Sequence, residues 1–243
     1  MSPPSVPVAP PISVVIAARN EAPRLPLLLA DLAVAPELVA EVLVVDGAST
    51  DATVRVAALA GARVLANTPG RGLQLARGIA CSSSSTWLML LHADARLGTG
   101  WRAAVVAALA LPEAAWYFDL VIDGGHPALR LVEGAVALRS RWRQLPYGDQ
   151  GLLLPRLLLN RAGGLAPIPL MEDLDLVQRL QRHTHLRPLE ARLRVDGRRW
   201  RTLGIWQTAL ANARLRRAWR RGLPAELLAQ RYYGSAVRER RRG

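Results

Sequence analysis

The stretch VLVVDGASTD, residues 42–51, decides how the chain is read. Val42, Leu43, Val44 and Val45 form an apolar run without polar alternation. That is the pattern of a strand covered on both faces of a parallel sheet. The run stops at Asp46. Gly47 permits a tight turn, and Ser49, Thr50 and Asp51 are residues that start helices. Asp46 therefore stands at the carboxyl edge of a core strand, where open α/β sheets bind ligands. A competing reading makes it an acid that complements the dipole of the next helix. Asp51, which lies nearer that helix, suits this second role better.

Outward from this stretch, strands and helices alternate. ISVVIAA (12–18), RVLAN (63–67), WLMLLHAD (87–94) and AWYFDLVI (115–122) read as further strands. Between them, residues 24–33, 51–62, 72–83 and 100–111 repeat apolar positions at helical spacing. The order predicts a parallel sheet with helices on both faces. The second half changes character. Residues 126–142 read as a helix, and 151–164 as a strand followed by a short helix ending at Gly163. Residues 171–183 read as an amphipathic helix with Leu174, Val177 and Leu180 on one face. An Arg-rich helix carrying Trp206 and Trp219 follows Gly197.

The chain has 243 residues, enough for one sizeable domain with a C-terminal appendage. It contains no run of eighteen apolar residues, so no transmembrane helix is expected. The start, MSPPSVPVAPP, reads as an extended Pro-rich leader rather than a signal peptide. Cys81 stands alone, which excludes an internal disulfide and suits the cytosol. The four His and one Cys show no zinc spacing. Charge is segregated: residues 1–191 hold 17 Arg and 16 acids, whereas 192–243 hold 15 Arg and 3 acids, with no Lys anywhere. The first part is a near-neutral domain. The tail suits an anionic membrane face, nucleic acid or an acidic partner.

Several ligand chemistries use an acid after the second strand. Dinucleotide binding wants G-x-G-x-x-G after strand one, and AARNEAPR at 17–24 has no glycine. A P-loop is also absent. S-adenosylmethionine binding usually needs a Gly-rich turn at the same place. Sugar-nucleotide binding does not, because a metal handles the diphosphate. It demands instead a second acid at the end of a later core strand, and LHAD supplies one. Asp94 is a hard oxygen ligand suited to Mg²⁺ or Mn²⁺. His92, two residues earlier on a chain read as extended, points the same way and could assist the metal or contact a ribose.

Together VVIAARNEAPRL, VVDGASTD, LHADARL, YGDQG and PLMEDLDL resemble the ordered motifs of the inverting glycosyltransferase family 2, of the GT-A nucleotide-diphospho-sugar transferase fold. The resemblance runs from about Ile12 to Trp200 and is nearest to a small bacterial "transferase 2" subgroup with LHAD, PYGDQG and PLMED. His92 stands where the family's D-x-D motif has its first Asp, and the familiar Pro near the end of strand one is missing.

The resemblance implies an α/β fold, a mainly parallel sheet flanked by helices, with the basic helical tail appended. It implies a nucleoside diphosphate sugar, with UDP favoured, bound by Ala18, Asn20, Glu21, Asp46, His92, Asp94 and Arg199. Asp46 would contact the base through the imide N–H of a uracil. Mn²⁺ or Mg²⁺ would sit on Asp94. The catalytic acids map to Glu172 and Asp173, with Asp173 as the base that takes the acceptor proton. Acids at a helix start are also favoured without any function, and Asp175 is expected to face solvent or a nearby Arg. Asp149, Gln150 and Trp200 fall on the acceptor side. For Gln150 a Gly-framed turn competes with that role, and for Arg199 and Trp200 a general Arg surface does.

The expected division is a leader at 1–11, a transferase domain at 12–200 and a tail at 201–243. In the tail, Leu203, Trp206 and Leu210 form a helical stripe followed by Arg214, Arg216, Arg217, Arg220 and Arg221. That arrangement suits anionic lipid and a lipid-linked hydroxyl acceptor, with the protein cytoplasmic and peripheral at the inner membrane face. The alternative packs the stripe on the domain and leaves the arginines solvated. Two other functions compete. One is a methyltransferase-like enzyme. The other is a nucleic-acid binder using Trp200, Trp206 and Trp219 beside the arginines, which the near-neutral, motif-bearing domain disfavours.

Overall fold

The computed structural model describes residues 11–83 and 85–240, with side chains as far as Tyr233. All of the expected leader except Pro11 lies outside the described residues. β1 (Ile12–Ala18) is buried along its whole length because it has a parallel neighbour on each side. Those neighbours are β2 (Val39–Asp46) and β4 (Trp87–His92), and β3 (Arg63–Ala66) continues the parallel set beyond β2. Beyond β4 the sheet turns mixed. β7 (Leu152–Pro155) runs antiparallel to β4 and to β6 (Ala115–Ile122). β8 (Leu186–Val195) is parallel to β6, and β5 (Ala95–Leu97) closes the edge antiparallel to β8. The full order is β3-β2-β1-β4-β7-β6-β8-β5.

Alternation along β1 feeds two cores. Ile12, Val14 and Ile16 pack on one face with α1 (Leu25–Ala33) and α4 (Trp101–Leu109). Val15 and Ala17 pack on the other with α3 (Arg71–Cys81), α6 (Arg156–Arg161) and α7 (Glu172–Leu180). Helix α1 shows why: Leu25, Leu28, Leu29 and Leu32 recur at helical spacing and are all buried. The short α2 (Thr53–Leu59) covers the outer strands through Ala57.

Three expectations need correction. Strand four ends at His92, and Ala93 and Asp94 form a turn, so strand alternation does not align His92 with Asp94. β8 was not expected as a strand. Its Leu186, Leu189, Ala191, Leu193 and Val195 are buried, but the two-residue period slips between Leu186 and Leu189, at Arg187 and Pro188, and Glu190 sits at φ +54°. Finally, the described part of the tail packs on the domain through Leu228 and its neighbours. After α5 (Ala128–Arg143) and α8 (Arg198–Leu203), α9 (Ile205–Arg220) and α10 (Ala225–Arg240) fold back on the domain. Ala225, Leu228 and Ala229 are buried with Leu170, Met171 and Leu174 at the start of α7. Among the described residues no helix is long and apolar enough to cross a membrane.

Candidate active site

The loops after β1 and β2 are laced together at the carboxyl edge of the sheet. Ser49 Oγ accepts from the Asn20 N–H at 2.8 Å, and Asn20 Oδ1 accepts from the Thr50 N–H at 2.8 Å. Thr53 Oγ1 accepts from the Glu21 N–H at 2.8 Å. Asn20 sits at φ +57°, a left-handed conformation that Asn tolerates. Asp51 accepts from the Thr53 N–H at 2.9 Å, which is the helix-start role expected of it. Asp46 is buried at the end of β2. Its Oδ2 accepts from the Ser49 N–H at 3.0 Å, while its Oδ1 is buried with no partner. A buried acceptor left open is a place for a donor from outside the chain. Ala18 departs from expectation. Its carbonyl already accepts from the Gly47 N–H at 2.9 Å and from Gln74 Nε2 at 2.8 Å, so it belongs to the framework.

Asp94 occupies the turn after β4. Burial and the neighbouring Glu21 carboxylate push its carboxyl up to about 6, against the pull of Arg198. The Arg198 guanidinium pairs with Glu21 (Nη1 to Oε2, 3.0 Å) and lies 4.0 Å from Asp94 Oδ2. Arg198, rather than Arg199, is thus the arginine at Asp94. Arg199 lies with Cζ 4.0 Å over the ring of Tyr232. The two adjacent arginines of GRRW concealed which one turns to the acids. Among the described residues no three His, Cys, Asp or Glu side chains gather as a metal cage. Asp94 lines the cleft, whereas both Glu21 oxygens are taken by Arg198 and Arg24.

The two acids at the start of α7 have different surroundings. Met171, in a left-handed conformation at φ +68°, turns the chain into the helix. Asp173 accepts from the Gly148 N–H through Oδ2 at 2.7 Å and from the Leu174 N–H through Oδ1 at 2.8 Å. Burial pushes its carboxyl up, but Arg71 and these two N–H groups outweigh burial and hold it below the usual Asp range. Glu172 is fully buried, and burial drives its carboxyl up to about 7 despite Arg71. Arg71 Nε lies 3.1 Å from Glu172 Oε1 without hydrogen-bond alignment, so the pair is held by charge alone. Asp175 pairs with Arg179 at 2.6 Å, as expected.

YGDQG meets these acids because a tight turn at Gly148–Gln150 follows α5. A Cβ on Gly148 would stand 3.0 Å from His92 Nε2 and 3.2 Å from Asp173 Oδ2, so glycine is what lets the three segments converge. Burial and Arg71 depress the His92 imidazole to about 3 and keep it neutral. Gln150 is a further correction. Its fully buried side chain accepts from Ser140 Oγ at 2.7 Å and donates to the Phe118 carbonyl at 3.2 Å, which ties the turn to β6.

One cleft of about 210 Å³, open to solvent, gathers His92, Asp94, Asp149, Asp173, Arg199 and Trp200. Asn20, Glu21 and Asp46 stand outside its lining on the strand-end side, and Glu172 lies behind it. The sequence reading missed Arg71, Tyr147, Arg216 and Tyr232, which also line it. Tyr147 carries Arg139 Cζ at 3.7 Å and Arg216 Cζ at 5.2 Å from its ring centroid. They come from α3, the turn after α5, α9 and α10, so only the tertiary packing of these segments brings them together.

A parallel set of strands with paired acids at its carboxyl edge, joined to a mixed second half that carries a fixed carboxylate, defines a sugar-nucleotide transferase fold of the GT-A type. The chain belongs to glycosyl transferase family 2, whose model matches residues 13–155. It is an α/β glycosyltransferase, and the methyltransferase and nucleic-acid alternatives are set aside. Solved structures similar to it include glucosyl-3-phosphoglycerate synthase from Mycobacterium tuberculosis with Mn²⁺, UDP and phosphoglyceric acid. That structure is 23% identical at TM-score 0.54, over 76% of this chain and 68% of that one. The same synthase with Mg²⁺ and UDP matches at 22% identity and TM-score 0.54, over 76% and 69%. A mycobacterial protein matches at 25% identity and TM-score 0.53, over 76% and 64%. No curated protein matches the chain.

Proposed function

We propose that the chain moves a sugar from a nucleoside diphosphate sugar, with UDP favoured, to a hydroxyl acceptor with inversion at the anomeric carbon. The observation that carries this reading is Asp173. Its carboxylate is held through both oxygens, kept ionised, and opens on the same cleft as Asp94. A carboxylate so held takes the acceptor proton as the hydroxyl attacks. Glu172 is buried away from that hydroxyl and acts by positioning Arg71 beside the base. Asp46 Oδ1, open and buried, suits the imide N–H of a uracil.

The residues at Asp94 fit Mn²⁺ or Mg²⁺. A carboxyl pushed up by burial and by a second carboxylate gains from a cation, and such ions bind through one or two carboxylates with diphosphate completing the shell. Once bound, the metal would neutralise charge on the leaving diphosphate. The mycobacterial synthase holds these same ions with UDP. Asp149, Trp200 and Arg199 line the cleft where an acceptor would enter, and a lipid-linked hydroxyl at the inner membrane face is the acceptor class we favour.

The test is thermal stabilisation by a panel of nucleoside diphosphates with and without Mn²⁺, followed by NMR of the product anomer. Metal-dependent stabilisation by UDP and an inverted product are expected. Stabilisation indifferent to metal and to Asp94→Ala overturns the metal role, and a retained anomer overturns the mechanism.

A further inference from the structure

Helix α9 has two faces with different surroundings. Thr208, Asn212, Leu215 and Arg216 turn towards the cleft. On the opposite face Trp206 and Leu210, one turn apart, are exposed. Beside them α5 buries Leu129 and Val136 in an apolar cluster that also takes Trp200 and Ile205, at the foot of α9. The outer side of α5 exposes Leu131, Leu138 and Trp142, spaced by seven and four residues and so on one stripe. These five side chains are between 50% and 82% exposed. They make up five of the twelve large exposed apolar residues among those described, and they include both exposed tryptophans. Such a gathering on two neighbouring helices marks an interaction surface rather than ordinary scatter.

Helix α9 contributes charge of one sign beside this surface, and the one acid of α5, Glu133, pairs with Arg130 at 2.8 Å. Helix α9 contains no acid. Arg143, Arg214, Arg217 and Arg221 are exposed, and among the described residues none has a carboxylate within ion-pair distance. Two details differ from the stripe read in the sequence. Leu203 is half-buried, and Arg216 turns inward onto Tyr147.

We propose that α5 and the outer face of α9 form a docking surface for an anionic lipid bilayer. Tryptophan is at home at the headgroup boundary, the leucines suit the acyl boundary below it, and the arginines meet anionic headgroups. Nucleic acid is a poorer occupant, because leucines give bases nothing to stack on. A second copy is also poorer, because a symmetric pairing sets one set of arginines against the other. The purpose rests on the glycosyltransferase reading: docking would hold the enzyme at the surface where a lipid-linked hydroxyl is found. The binding itself does not depend on turnover.

The experiment is co-sedimentation of the full chain with phosphatidylcholine vesicles, with and without phosphatidylglycerol. The protein should pellet with the anionic vesicles at low salt and be released as salt rises. The double variant Trp142→Ser, Trp206→Ser should bind at least about tenfold more weakly. Leu59→Ser, which removes an exposed leucine on α2, should bind as the parent does. Circular dichroism and melting establish that both variants are folded. Full recovery in the supernatant with anionic vesicles at low salt overturns the proposal. So does a double variant that binds like the parent, which would mean adsorption by arginines alone. A dimer in solution that the same two substitutions dissolve would assign the surface to a second copy.

Discussion

Asp46 and His92 stand at the ends of strands on either side of β1. Ala18 is registered against Asp46 and Ala17 against His92, and Asp94 follows in the next turn. On the other side of the Gly148 turn from His92, Asp173 is held by groups from positions 71, 148 and 174, which come from α3, a turn after α5 and its own helix. The strand-end side takes its geometry from a backbone ladder that any apolar sequence of the right pattern would form. The opposite side takes its geometry from contacts between residues far apart in the chain, each of which a single substitution can remove. The acid set in the ladder should therefore tolerate change in its surroundings, and the base should not.

The contrast can be broken most severely at α10. Leu228 is fully buried against the start of α7. Leu228→Ala should lower stability by about 2–5 kcal/mol, read by denaturant unfolding. A loss near zero would restore the detachable tail that the sequence suggested. Next in size is the base. Asp173→Asn keeps the shape but not the proton acceptance, and should lower kcat by at least about a hundredfold with donor affinity nearly unchanged. Near-normal turnover would move the base to Glu172.

On the strand-end side, Asp46→Ala removes one acceptor from a side that is otherwise intact. UDP affinity should fall by about ten- to a hundredfold, the scale of one charged hydrogen bond, with melting little changed; calorimetric titration measures it. The smallest effect sharpens the choice between the two acids. A base works ionised, and the Asp173 carboxyl is held below the usual Asp range, so it remains ionised through neutral pH. The Glu172 carboxyl, raised to about 7, loses its charge as pH falls through that value. With Asp173 as base, kcat should change by less than about twofold between about pH 6 and 8. A tenfold fall per pH unit below 7 would instead report Glu172.

The same contrast explains what could be read in the sequence. Residues 42–46 announced a buried strand and its terminal acid because a parallel strand needs only local apolar continuity. The MED acids were visible for the same reason, since acids at a helix start are a local pattern. Arg71 was not visible as a partner of Glu172, because 101 positions separate them and GRG carries no signal of that ion pair. Gln150 stayed open between two roles because a polar residue in a Gly-framed turn looks the same whether it faces a ligand or the Phe118 carbonyl. β8 hid behind Pro188 and the strained Glu190, and the burial of α10 depends on a surface built from residues 170–174.

Helix α3 touches both sides. Gln74 donates to the carbonyls of Ala18 and Val45 beneath the nucleotide edge, while Arg71, three residues earlier, lies against Glu172 beside the base. Gly72 lets α7 come this close, because a Cβ there would fall 2.7 Å from Glu172 Cβ. Less than one helical turn, a rise of about 4.5 Å, therefore sets the spacing between the ends of β1 and β2 and the start of α7. An extra residue in an exposed loop leaves that spacing alone. One inserted between Arg71 and Gln74 would swing the guanidinium by about 100° around the helix axis, so this segment sets the gap between the strand ends and Glu172 in the way a gauge block does.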